Sequence, residues 1–182
     1  MAPDGVFAAA LEAREAEDFE SLAELLSDDF LRGFQRDHLA WTRRWLLEHL
    51  REPAAVGASL TTALPSNRIR NIPLAAIPGS PSLEALEALS GRVFFVQWAV
   101  AAVRAAVVLE EPRKAQPYRI IGSVEEDAEW AHVLYRCGEM VLGPERTFTA
   151  TLHRDRDRWL IYWLSEPLVD EGPLGRLLAI AG

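Results

Sequence analysis

Cysteine is nearly absent. Cys137 is the single one, so no intrachain disulfide can form, and a metal site built on it would need histidine and carboxylate help. Catalytic signatures are missing as well: the chain has no GxSxG, no phosphate loop, no CxxC and no HExxH. Positive charge is scarce. Nineteen Lys+Arg stand against 27 Asp+Glu, for a net charge of -8. A nucleic-acid binder needs a cationic footprint, and here Arg32, Arg36, Arg43, Arg44 and Arg51 are interleaved with Asp28, Asp29, Asp37, Glu48 and Glu52. No nucleic-acid partner is therefore expected. Lysine is all but missing too, with Lys114 alone, an arginine bias expected of a GC-rich bacterial gene. Long apolar runs are lacking: Val93 to Leu109 is short for a membrane span and carries Gln97 and Arg104, so it reads as a buried helix. Met1-Ala2-Pro3-Asp4-Gly5 has no basic region of a secretory signal. The expected address is cytoplasmic, with no membrane partner.

What is present is ordinary globular composition. The 182 residues are 49% hydrophobic, 25% charged and 9% aromatic, enough for one α+β domain spanning 1–182 with its own core. Residues 1–52 read as helical. Phe7 to Glu17 has helical spacing, and Asp18 N-caps a short second helix that turns Leu22, Leu25 and Leu26 inward. Phe30 to Arg51 carries Phe34, His38, Trp41, Trp45 and His49 on one helical face. Residues 53–81 form a Pro/Gly-rich connection, of the kind that often serves as a lid. Residues 82–111 are helical again: Ser80-Pro81 starts one helix, and Ser90 caps another that runs through Arg104 with Val93, Val96, Val100 and Val103 on one stripe. Residues 166–182 make an apolar tail.

The period changes to two over 118–165. Tyr118–Glu125, Glu129–Gly138, Glu145–Arg154 and Arg158–Ser165 read as four strands of an antiparallel meander, on which the N-terminal helices pack. Placing Gly138 opposite Arg146 and Arg154 opposite Trp159 sorts the faces by parity. One face then collects Trp130, His132, Leu134, Arg136, Phe148, Leu152, Ile161 and Trp163 and should receive the helices. The other collects Tyr135, Thr149, Thr151, Tyr162 and Leu164, a half-polar surface suited to a homodimer.

Two stretches of the chain resemble the nuclear-transport-factor-2-like superfamily, the cone-shaped, cystatin-like α+β fold shared with ketosteroid isomerase and polyketide-cyclase-like proteins. The first runs from Phe7-Ala8-Ala9-Ala10-Leu11 through Asp18-Phe19-Glu20-Ser21-Leu22 to Asp28-Asp29-Phe30. The second joins Val124–Val133, Thr149–Asp155 and Arg158-Trp159-Leu160-Ile161. The resemblance implies a curved sheet under helices. It transfers no catalytic residue, because no matching position is catalytic in the pattern.

Candidate chemistry is sparse. His38 and His49 lie eleven residues apart on one helix, too far to share a metal. His38, Trp41 and Trp45 are expected either as core or as the wall of a cavity for a small apolar ligand, with Trp163 as a further wall. His132 and Arg136 are two polar residues on the heavier apolar face. Near a strand end they would simply reach water; inside the cone, His132 would serve as an acid or base and Arg136 would hold an anion. Neither a cofactor nor a metal is expected. Three functions stay open: a binder of a small apolar ligand or a partner protein, an isomerase- or cyclase-like enzyme using His132, and a pure dimerisation module.

Overall fold

Short polar residues start most of the helices and set their boundaries. In the computed structural model, which describes residues 1–49, 82–108, 118–137 and 146–164, positions 41, 45–49, 102–108, 137 and 146 are followed as backbone only. The helices are α1 (Pro3–Glu15), α2 (Phe19–Glu24), α3 (Asp28–His49), α4 (Leu83–Glu87) and α5 (Gly91–Val108). The strands are β1 (Tyr118–Glu125), β2 (Trp130–Cys137), β3 (Arg146–Asp155) and β4 (Arg158–Leu164). The class is α+β. The expected connection over 53–81 and the tail over 166–182 lie outside the described residues.

The caps explain where helices begin. Asp18 Oδ1 accepts from Ser21 N at 3.1 Å, as its position before Phe19 predicts. Ser27 Oγ accepts from Phe30 N at 3.1 Å, which starts α3 two residues earlier than the apolar stripe alone suggests. Ser82 Oγ accepts from Ala85 N at 3.2 Å and is the cap of α4. Ser90 Oγ accepts from Val93 N at 3.3 Å, and α5 continues past Arg104 to Val108. The long apolar α5 does not qualify as a membrane span, and no other described helix does.

The chain divides into two compact units, with the boundary between Phe30 and Leu31 inside α3. The first unit joins α1 and α2 to the sheet. Its strand order is β1-β2-β3-β4, all antiparallel. Leu26 pairs in parallel with Ile161, and Ser27 N donates to Ile161 O at 2.8 Å, so the residues after α2 extend the β4 edge. The core face carries Ala131, Val133, Tyr135, Ala150, Leu152 and Ile161, all fully buried. α1 covers it: the Phe7 ring lies 4.4 Å from the Tyr135 ring, and both residues are fully buried. Burying a side chain of Phe7's size removes it from water for a gain of about 1.5–3 kcal/mol.

This face differs from the sequence expectation in two places. Arg154 does stand opposite Trp159. But Arg146 pairs with Cys137, not Gly138. A slip of one residue exchanges the faces of a strand. So Ala131, Val133 and Tyr135 turn to the core, and Trp130, His132, Leu134 and Arg136 turn to the outer face. The second difference is a bulge in β4. Thr151 pairs with Trp163 and Leu152 with Ile161, leaving Tyr162 as the extra residue. Leu164 returns to the core face and Trp163 goes to the outer one. Tyr135 and Leu164 are thus removed from the expected dimer surface, and Trp163 from the expected pocket wall.

The second unit packs α3 against α4 and α5. Gln35 Nε2 donates to Leu86 O at 2.8 Å and Leu89 O at 3.0 Å, closing the carbonyl end of α4. Gly91 starts α5 where a Cβ would meet the backbone of Leu31 and Arg32 at 2.9–3.0 Å. That contact admits only glycine. The valine stripe of α5 is not its packed side. Val93 is exposed, whereas Phe94, Phe95, Trp98, Ala99 and Ala101 are buried. The helix is apolar on every side, so periodicity does not choose a face, and the side with the larger aromatic area is the one removed from water.

Candidate functional site

The outer sheet face gathers His132, Arg136 and Trp163, three of the six side chains that stood as candidates. His132 is its centre. The turn after β1 is folded by Asp127, whose Oδ1 accepts from Glu129 N at 2.7 Å and Trp130 N at 2.8 Å. That turn brings Glu126 back over the sheet, where its Oε2 lies 3.0 Å from His132 Nε2. A carboxylate only accepts, so Nε2 carries a proton and donates it to Glu126. Thr151 stands opposite His132 on β3, and its Oγ1 lies 3.2 Å from Nδ1. The result is a Glu126–His132–Thr151 chain of hydrogen bonds. It orients the imidazole. It is also open: the side chains of His132 and Glu126 are 34% and 65% exposed, so water competes for every proton.

Beside this chain lies an aromatic cluster. Trp130 faces His153 at 4.6 Å and meets Tyr162 edge-on at 5.1 Å. Because of the bulge, Trp163 follows Tyr162 on the outer side and is 53% exposed. Tyr162 at 38% and Val124 at 58% continue the apolar surface.

The two ends of the face carry opposite charge. At one end the β1–β2 turn presents Glu126, Asp127 and Glu129, all exposed. At the other, Arg119 stands directly opposite Arg136. Arg136 Nε donates to Thr147 Oγ1 at 3.3 Å. Like charges directly opposite one another destabilise a strand pair. Arg136 and Trp163 therefore share the outer face with His132.

His38 lies elsewhere, in the helical unit. Its Nδ1 donates to Phe34 O at 2.8 Å, its ring stacks on Phe34 at 3.9 Å, and it meets the Trp98 ring edge-on at 4.9 Å. Burial, outweighing the Phe34 carbonyl and Asp37, lowers its pKa below the ordinary histidine value. Phe34 also touches Phe94, Phe95 and Trp98 at 6.2, 5.2 and 5.0 Å. Trp41 and Trp45 continue the α3 backbone, and their side chains lie outside the described residues. The sequence reading missed Glu126, Thr151 and Trp98 as members of these clusters. The signal for Glu126 was the Asp127 turn, which follows Glu126 and begins five residues before His132. For Thr151 it was a register that the pattern alone does not fix.

Compared with known proteins, the chain matches no family model, no curated protein and no solved structure.

Proposed function

We propose that this protein is an interaction module, on a scaffold of the nuclear-transport-factor-2-like kind, whose outer sheet face docks a second copy of the chain. The observation that carries the reading is the polarity of that face. Its acidic end holds the turn residues Glu126, Asp127 and Glu129, and its other end holds the opposed pair Arg119 and Arg136. A two-fold axis lying in the interface at right angles to the strands reverses one sheet over the other. Each arginine pair then meets the partner's acidic turn. Exposed Trp163, Tyr162 and Val124 supply apolar area between the charged ends, in the pattern of aromatic centre and polar rim that interfaces favour. Sedimentation at tens of micromolar tests the reading. A dimer that weakens with salt is expected; a strict monomer overturns it.

The Glu126–His132 contact favours a second reading, an enzyme of the isomerase or cyclase type with His132 as its proton-transfer group. A carboxylate on one ring nitrogen is the arrangement that fixes a catalytic imidazole. Solvent exposure weighs against it. Exchange of deuterium into a small enolisable ketone, faster than background and lost in His132→Ala, would favour this reading over the module.

A further inference from the structure

One row of the outer sheet face crosses all four strands. Val124 pairs with His132, His132 with Thr151, and Thr151 with Trp163. On β2 this row stands midway between the acidic turn and Arg136. In the proposed dimer, on which the inference rests, each acidic turn meets the partner's arginines. The two-fold axis that does this passes midway between the charged ends, hence over this row. A residue on such an axis meets its own copy. His132 therefore faces the partner's His132, between sheets that pack about 10 Å apart.

Each His132 brings a carboxylate with it, since Glu126 Oε2 lies 3.0 Å from Nε2. The dimer thus draws two imidazoles and two carboxylates to one place. Like charges brought together repel, and taking them out of water raises the cost. A divalent cation cancels that charge and uses the same atoms. With zinc about 2.0–2.1 Å from each donor, two donors of a tetrahedral site sit roughly 3.3 Å apart. The Glu126–His132 pair is close to one edge of such a tetrahedron. Zinc takes the Nε2 lone pair, which places the ring's hydrogen on Nδ1. Thr151 Oγ1 lies 3.2 Å away to accept it, the kind of outer partner that orients a metal-ligating histidine. One copy alone does not complete the site: among the described residues, no three His, Cys, Asp or Glu gather for a metal. The second copy supplies the missing two.

We propose that His132 and Glu126 from each of two copies form a tetrahedral zinc site on the axis, so that a divalent metal governs self-association. Imidazole nitrogen with carboxylate oxygen is a donor set that suits zinc better than calcium or magnesium. Four protein ligands close the site and make it structural. Zinc held by the dimer and not by the monomer tightens association by mass action. Free zinc at ten times its dissociation constant gives about a tenfold gain.

The probe is zinc chloride, added to the full chain after treatment with EDTA. Sedimentation reads the association constant, and competition with a chromophoric chelator reads the stoichiometry. Zinc should tighten the dimer about tenfold or more, at one metal per two chains, and EDTA should reverse it. Magnesium should have no effect. His132→Ala removes two of the four donors and should abolish the zinc response. His153→Ala, in the neighbouring row, should keep it. A dimer in EDTA that zinc leaves unchanged overturns the site and leaves the dimer standing. A monomer in EDTA that zinc assembles at one metal per two chains overturns the metal-free dimer and sustains the site. A monomer that zinc leaves unchanged overturns both. One zinc per chain, or a zinc response that survives His132→Ala, also overturns the site.

Discussion

Trp163 stands opposite Thr151 while Ile161 stands opposite Leu152, so Tyr162 between them has no partner across the ladder. That one extra residue places two consecutive aromatic side chains on the outer side of the sheet and returns Leu164 to the core. Strict alternation would have put Trp163 with Ile161. The bulge thus decides whether the largest side chain of β4 is core or surface.

The first prediction follows from that exposure. Trp163→Glu should change stability by no more than about 0.5 kcal/mol, as for other surface sites. It should nonetheless abolish the dimer, because it puts charge in the middle of the apolar strip. Urea denaturation reads the first quantity and sedimentation the second. A loss of several kcal/mol would place Trp163 in the core; an intact dimer would remove this face from the interface.

Arg119 and Arg136 make a second, separable prediction. Arg119→Glu replaces a like-charged cross-strand pair with an opposite one. The monomer should gain about 0.2–1 kcal/mol. The same change sets a carboxylate against the partner's acidic turn, so self-association should weaken. Stability and association moving in opposite directions is the expected signature. If both fall together, Arg119 is held by contacts within its own copy.

The strand boundaries show how far pattern carries. Tyr118–Glu125 is legible to the residue, because Pro117 and the Asp127 turn bracket it. The β3–β4 register is legible only from the turn as far as Ile161, since the turn at Arg156-Asp157 is tight and sets Asp155 against Arg158; the bulge at Tyr162 beyond it is not. The β2–β3 register is not. Both faces of β2 are apolar, Trp130 and Leu134 on one and Ala131, Val133 and Tyr135 on the other, so hydrophobicity does not choose between them. Turn chemistry would have to decide, and the connection over 138–145 lacks a two-residue signature. That single slip carries His132 and Arg136 from the expected pocket to the outer face. The α5 face was illegible for the related reason that the helix has no polar side.

The helical unit yields a pH prediction. His38 has a lowered pKa in the folded chain and an ordinary one, about 6.5, when unfolded. Below that value the unfolded chain takes up a proton that the folded chain resists. Its neutral burial is therefore fully tolerated above pH about 6.5 and increasingly opposed below it, down to the folded pKa. Stability should fall as pH drops below about 6.5. His38→Phe keeps a stacked ring on Phe34 and removes the titration. The slope in that window should flatten in the variant; an unchanged slope would assign it to other groups.

Two backbone positions predict opposite outcomes for glycine. Glu17 has φ of 58°, in the left-handed region, just past the end of α1. Asp18 N donates to Ala13 O at 2.8 Å and Glu17 N to Arg14 O at 3.0 Å, the paired bonds of a helix end that glycine usually occupies. A side chain in that conformation costs about 1–2 kcal/mol relative to glycine. Glycine's own extra freedom in the unfolded chain offsets part of this. Glu17→Gly should therefore stabilise by a net of roughly 0.5–1 kcal/mol. Gly91 is the converse. An added Cβ meets Leu31 C at 2.9 Å and Leu31 O at 3.0 Å, and those atoms are backbone, held within α3. They cannot rotate away as a side-chain end would, so α5 must shift off α3. Gly91→Ala should cost about 1–3 kcal/mol, the range of overpacking, even though alanine is the better helix former. Thermal denaturation of the two variants, measured side by side, checks both signs. A stabilised Gly91→Ala would mean that α5 does not approach α3 at this point, and a destabilised Glu17→Gly would mean that Glu17 makes side-chain contacts worth more than its backbone strain.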